Sequence, residues 1–103
     1  MAKAKATPKT KALTCDVAEQ LRTPEEMAEY LDAWFVEAPD DSAGIARALG
    51  DIARAKGMTQ VARDAGLSRE SLYKALSENG NPSFATILKV ARALGVRLHA
   101  EAA

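Results

Sequence analysis

The residues with the clearest chemical potential lie between Thr59 and Leu76, where two short helical patterns are separated by Gly66. Glycine accepts a positive φ angle, so Gly66 allows the chain to turn sharply between the two helices. Arg69 and Lys74 fall on the outer face of the second helix, and cationic donors suit the O6 and N7 atoms of guanine in the DNA major groove. We therefore predict that this helix reads base edges through Arg69 and Lys74.

Other polar side chains around this helix are candidates for further DNA contacts. Leu72 and Leu76 are expected to point inward, which leaves Glu70, Tyr73 and Ser77 on the outer face with Arg69 and Lys74. Glu70 either accepts a hydrogen bond from cytosine N4 or acts only as a favourable first-turn charge. Ser68 either contacts a phosphate or serves only as the N-cap of the helix. The candidates for phosphate contacts are Gln60, Ser68, Ser71, Asn79 and Asn81.

Helical periodicity and capping signals predict an all-α fold of five helices that positions this motif, residues 59–78. After the last predicted helix, the residues from Val96 to His99 alternate between apolar and polar types. This alternation predicts a short strand that pairs across a dimer axis. The first predicted helix follows the Thr23-Pro24-Glu25-Glu26 signal and ends near Pro39, and the second runs from about Ser42 to Lys56. The third runs from a Thr59 cap to Ala65, the fourth from a Ser68 cap to about Glu78, and the fifth from a Ser83 cap to Gly95.

Apolar stripes on the first and last helices predict the core. On the last helix the stripe consists of Phe84, Ile87, Leu88, Ala91 and Leu94. On the first helix it consists of Met27, Leu31, Trp34 and Phe35. An exposed aromatic side chain at the end of that first helix would serve as an anchor in a protein–protein interface. We expect both Trp34 and Phe35, however, to be buried in the core.

Charge is distributed unevenly although the formal net charge is zero. Residues 1–11 contain four lysines and no acid, residues 12–45 one base and nine acids, and residues 46–103 nine bases and five acids. This asymmetry indicates either an acidic surface for a basic protein partner or simply a solvated acidic helix. Residues 1–14 contain few large apolar groups and are predicted to be a flexible basic tail, which leaves a single domain over residues 15–103.

The residue inventory argues against an enzyme. His99 is the sole histidine and Cys15 the sole cysteine, and the sequence has neither metal-ligand spacing nor a glycine-rich phosphate loop. We therefore expect no catalytic residues, no metal and no cofactor. No apolar run approaches the roughly 18 residues that span a bilayer, and an unpaired cysteine suits the reducing cytoplasm.

From Asp16 to Leu98 the sequence resembles the HigA-like addiction-module antidotes. The resemblance implies a dimeric, lambda-repressor-like helix-turn-helix protein that neutralises a RelE-superfamily, mRNA-cleaving toxin and represses their shared operon by binding its operator DNA. Gln60 lies two residues closer to Gly66 than the glutamine that usually opens the first motif helix of phage repressors, which leaves its phosphate contact open. The matching runs are Asp16 to Glu19, Thr23 to Leu31, Gly50 to Ala62 and Gly80 to Phe84.

Two further functions stay open at the level of sequence. A stand-alone phage-type repressor would use the same motif, with the acidic helix only completing the core or building a dimer. An interaction module would keep the helix-turn-helix shape without reading DNA, since a fold does not by itself imply a function.

Overall fold

The fold consists of helices throughout the part of the chain that the computed structural model describes, residues 21–77 and 79–103. No strand occurs within these residues, which confirms the all-α class. The predicted flexible tail, residues 1–14, and the matching run that starts at Asp16 lie outside the described residues. The five helices are α1 (Pro24–Glu37), α2 (Ser42–Lys56), α3 (Met58–Ala65), α4 (Arg69–Ala75) and α5 (Phe84–Leu94).

Local hydrogen bonds explain where three of the helices begin. At α1, Thr23 Oγ1 accepts from the Glu26 amide at 3.1 Å, and the Glu26 carboxylate accepts from the Thr23 amide at 3.1 Å, which is the predicted capping box. At α2, the Asp41 carboxylate accepts from the Gly44 amide at 2.8 Å. At α5, Ser83 Oγ accepts from the Thr86 amide at 3.1 Å, as predicted. Each bond satisfies an amide that the helix itself leaves unpaired.

Two predicted helix boundaries are wrong. Helix α3 begins at Met58 after Gly57, so Thr59 already lies in the first turn and does not cap the helix. Helix α4 ends at Ala75 rather than near Glu78, which itself lies outside the described residues. The chain folds back over this end so closely that a Cβ atom on Gly80 would overlap the Ala75 carbonyl oxygen.

The core forms where α3 packs against α2, α4 and α5, while α1 packs mainly against α2. Trp34 is buried, as predicted, and its ring passes so close to α2 that a Cβ atom on Gly44 would overlap it. A side chain at position 44 would therefore displace α1 from α2. The largest fully buried side chains are Ile52, Val61, Leu72, Val90 and Leu94.

Three residues of the predicted core stripes are exposed instead of buried. The exposed fraction of the residue is 42% for Phe35, 68% for Phe84 and 45% for Leu88. The buried face of α5 comprises Val90, Ala91, Ala93 and Leu94, because α3 packs against the side of α5 that these residues share. Phe35 lies beyond the edge of the α1 face that meets α2. Three large apolar side chains thus contribute little to the core.

Val96 to His99 form no strand within the single chain, and the predicted pairing of this segment across a dimer axis stays a prediction. Helix α5 ends at Gly95, which has φ +80°, and the Val96 amide donates to the Ala91 carbonyl at 3.0 Å. This amide closes the end of the helix.

A polar network connects α1 to α2 beneath the surface. The Tyr30 hydroxyl donates to Asp51 Oδ2 at 3.0 Å, and Arg54 Nη2 donates to Asp51 Oδ1 at 2.7 Å. Burial raises the pKa of Tyr30 to about 12, and the charge of Asp51 acts in the same direction. Tyr30 therefore keeps its proton, and its hydrogen bond, at neutral pH.

The Tyr30–Asp51 bond is expected to add about 1 kcal/mol to the free energy of unfolding at pH 7, relative to Tyr30→Phe. Above pH 10 the unfolded state loses this proton first, so the advantage should fall as the pH rises and turn into a disadvantage before pH 12, because raising the pKa from 10 to about 12 costs more at high pH than the hydrogen bond contributes. Denaturant titrations of both proteins between pH 7 and 12 measure the difference, and parallel stability curves would contradict the assignment.

Candidate nucleic-acid interface

The turn between α3 and α4 depends on Gly66, which ends α3 in the left-handed conformation at φ 73° and ψ 30°. The Leu67 amide donates to the Ala62 carbonyl at 2.8 Å, and the Gly66 amide donates to the Arg63 carbonyl at 3.1 Å. These bonds satisfy the last carbonyls of α3 and redirect the chain within three residues. The predicted role of Gly66 is confirmed.

Helix α4 is oriented by one buried side chain. Leu72 is fully buried and Leu76, just beyond the helix, is 3% exposed, so both predicted inward positions are confirmed. At the other end, Ser68 Oγ accepts from the Ser71 amide at 2.9 Å and caps the helix. The cap fixes the start of the helix, and the leucines fix its rotation about its axis.

The face of α4 opposite Leu72 is entirely exposed. Arg69, Glu70, Tyr73 and Lys74 are all exposed, as predicted. Glu70 and Lys74 lie opposite Leu72, and Arg69 lies at the edge of this face beside Tyr73. The Arg69 guanidinium lies over the Tyr73 ring with 6.0 Å between its central carbon and the ring centroid, a cation–π arrangement that limits the freedom of the arginine. A shallow depression runs along this face and is lined by Glu70, Ser71, Tyr73, Lys74 and Ser77.

The remaining candidates differ in how far their polar groups are already engaged. The Ser68 hydroxyl donates to Ser71 Oγ at 2.9 Å in addition to capping the helix. Gln60, on α3, donates its amide to both carboxylate oxygens of Asp64 at 3.0 and 3.1 Å. Asn79 and Asn81 are exposed in the segment between α4 and α5. The structure therefore groups the serines with the α4 face and places Gln60 on the neighbouring helix.

Sequence reasoning did not single out Arg63, an exposed cation on α3, whereas it placed Ser77 on the outer face of the motif helix, where the structure also has it. Arg63 lies in the last turn of α3, three residues before Gly66, and Ser77 lines the depression along α4. A cation at the end of the first motif helix was a signal that could have identified Arg63. Both residues extend the polar surface around α4.

Metal-binding clusters and membrane-spanning helices are both absent from residues 21–77 and 79–103. Within these ranges no group of three or more His, Cys, Asp or Glu side chains is placed to hold a metal ion. None of the helices described there combines the length and the apolar character needed to cross a bilayer.

These features define a small all-helical protein in which a short, exposed helix follows a glycine turn. The sequence profile of a family described as "Probable addiction module antidote protein" matches residues 11–102, and the chain belongs to this family. It is also 54% identical over 86 residues to an uncharacterised protein of Haemophilus influenzae, a match that covers 84% of this chain and 87% of the other. No solved structure matches it.

Membership of this family confirms the coarser part of the resemblance, an addiction-module antidote. The family description indicates a regulatory protein rather than an enzyme, and an antidote implies a cognate toxin as its partner. The HigA-like and lambda-repressor-like assignments stay predictions, because they specify more than the family description does.

Proposed function

We propose that this protein is the DNA-binding antitoxin of a type II toxin–antitoxin module, which neutralises a RelE-superfamily, mRNA-cleaving toxin and represses its own operon. The observation that carries the proposal is the exposed face of α4 in a chain that belongs to an antidote family. An antidote that only bound its toxin would not require a short helix that is anchored to the core by Leu72 and exposes Arg69 and Lys74.

The chemistry of α4 supports direct reading of operator DNA. A helix fits the major groove, where Arg69 and Lys74 can donate to guanine O6 and N7. Tyr73 keeps the Arg69 guanidinium over its ring and so reduces the conformational entropy cost of binding a base. Glu70 faces outward between them and can accept from cytosine N4.

Phosphate contacts would hold α4 in register in the groove. Asn79 and Asn81 are exposed near the end of α4, and Ser68 and Ser71 lie at its start, so the four residues flank the helix at both ends. Gln60 is the weaker candidate, because its amide already binds Asp64, whose negative charge would repel a phosphate. We assign the other four to phosphate contacts.

The toxin is assigned to the RelE superfamily on the resemblance of this chain to HigA-like antidotes. A toxin of that kind cleaves mRNA, so neutralisation would take place in the cytoplasm. The family description supports the existence of a toxin, and the finer assignment is part of the proposal.

A homodimer is the assembly that we propose on DNA. The seven residues of α4 can reach few bases, and a second copy would double the sequence that is read. One contact is the pairing of Val96 to His99 with the same segment of a second copy. An alternative contact is the exposed pair Phe84 and Leu88, which lie one turn apart on α5 and would bury apolar surface against a second copy.

A growth assay tests the antitoxin function. Inducing the neighbouring reading frame alone should arrest growth, and co-expressing this protein should relieve the arrest and yield a co-purifying complex. A variant with Arg69→Ala and Lys74→Ala should rescue growth equally well while losing repression of the operon. A harmless neighbour would contradict the proposal and favour a stand-alone repressor.

Alanine at Arg69 or at Lys74 should weaken discrimination between the operator and mutated sites by about 1–3 kcal/mol for each base that the replaced side chain reads. Competition binding at fixed salt concentration measures this discrimination. Lys89→Ala provides the matched control, because Lys89 is an exposed cation on α5. Unchanged discrimination in both α4 variants would contradict their assignment as base readers.

Replacing Phe84 or Leu88 by glutamate should convert the dimer to a monomer, because each copy would place a charge in an apolar contact. Sedimentation equilibrium over a range of concentrations measures the change, and Arg92→Glu on the same helix controls for added charge. Wild-type protein that stays monomeric at high concentration would contradict the dimer itself.

A further inference from the structure

Helix α1 presents one face that no described element covers. Its inward residues pack against α2 and the core, while the opposite side is exposed along the whole helix. At 100° per residue, Ala28 and five larger exposed residues share this side. We call the five larger residues the α1 outer face: Glu25, Glu29, Asp32, Phe35 and Val36.

The acidic residues of the α1 outer face are like charges placed side by side, and among them only Glu25, in the first turn, is favourable to the helix. Glu25 and Glu29 are four residues apart and Glu29 and Asp32 are three apart, so like charges are neighbours on the helix surface. None of the three forms an ion pair or a side-chain hydrogen bond with any residue in the described ranges. Their mutual repulsion is therefore uncompensated within this part of the chain.

The apolar part of the same face also contributes little to the packing of the described chain. Phe35 is 42% exposed and Val36 is 63% exposed, although both are in the last turn of a well-packed helix. An aromatic side chain surrounded by polar and charged neighbours has the composition of an anchor residue in a protein–protein interface. Exposed apolar anchors and an acidic rim thus occur together on one helix face.

The α1 outer face is also held in a fixed position. Trp34 is buried beneath it, and Tyr30 donates to Asp51 on α2 at 3.0 Å. Helix α1 packs mainly against α2, whereas α4 packs mainly against α3. A partner on the α1 outer face would therefore bind a rigid surface that is built separately from the DNA-reading helix.

Charge complementarity indicates which kind of partner fits the α1 outer face. A second copy related by two-fold symmetry would bring the acidic residues of both faces together, and DNA would be repelled by the same charges. A protein that binds RNA needs a basic surface for phosphates, and such a surface complements the acids of α1. The exposed Phe35 and Val36 require in addition an apolar recess in that partner.

We propose that the α1 outer face is the docking surface for the toxin, whose basic RNA-binding surface it covers while Phe35 inserts into an apolar recess. This inference rests on the proposed antitoxin function and specifies where it is performed. It also implies that toxin and operator DNA bind to different helices and can be bound at the same time.

Binding of the purified product of the neighbouring reading frame tests the assignment. Asp32→Lys and Glu29→Lys should each weaken the complex about tenfold at low salt, and Phe35→Ser should weaken it by about 30-fold. Operator binding and the circular dichroism spectrum should not change. The matched control is Glu101→Lys, which makes the same charge change at an exposed acid near the C-terminus.

A second variant distinguishes a binding role from a structural one. The double change Glu29→Gln and Asp32→Asn removes the repulsion and should raise the melting temperature of the free protein by about 2–5 °C, while the toxin complex becomes weaker. A structural role for these acids predicts lower stability and unchanged toxin affinity. Opposite effects on stability and binding would therefore support docking.

The outcomes separate this inference from the proposed function. If the wild-type protein neither binds the neighbour nor relieves growth arrest, both fail. If the wild type binds and rescues but the α1 variants bind equally well, the docking surface is wrong and the antitoxin function stands. If Phe35→Ser lowers the mass in sedimentation without weakening the complex, a second copy occupies the face and the inference is overturned.

Discussion

The burial of Leu72 is the interaction on which the rest of the structure depends. Helix α4 has seven residues, and a helix of that length is unstable in isolation. It persists because Leu72 is fully buried against the core and Ser68 caps its first turn. The same contact fixes the rotation of α4, so that Arg69 and Lys74 project to solvent. Core packing and the chemistry of the exposed face are thus consequences of one side chain.

The described interior pairs its buried carboxylate but leaves the Trp34 indole N–H without a hydrogen-bond partner, and the surface above it has several further unsatisfied features. Inside, the buried Asp51 carboxylate has two hydrogen-bond partners, Tyr30 and Arg54. Outside, the acids of α1 lack ionic partners within the described ranges, and Phe35 and Phe84 expose aromatic rings. Features of this kind contribute little to stability in the free chain, and they fit a protein that functions through contacts with other macromolecules.

The scaffold keeps these surfaces apart. Tyr30 links α1 to α2, and Lys56 Nζ donates to the Ala93 carbonyl at 2.8 Å, which links the end of α2 to the end of α5. Helix α4 is attached through α3 and the turn at Gly66. Each exposed face belongs to a different helix, so occupation of one does not require rearrangement of another. In the proposed function, this separation lets toxin neutralisation and operator binding coexist in one complex.

The sequence by itself determined the features that depend on neighbours in the chain. The capping box at Thr23, the Ser68 and Ser83 caps and the left-handed turn at Gly66 all arise from residues within a few positions of one another, so local patterns predicted them. The inward direction of Leu72 follows from helical spacing after that turn. The clustering of Arg69 and Lys74 on one face, and hence the candidate site, was therefore predictable.

Only the tertiary structure decided which parts of each apolar stripe are covered. Phe35, Phe84 and Leu88 are as apolar as their buried neighbours, and their exposure depends on where α2 and α3 pack. Burial is a property of packed elements, whereas caps and turns are properties of short segments, and this difference separates what the sequence determined from what the fold added.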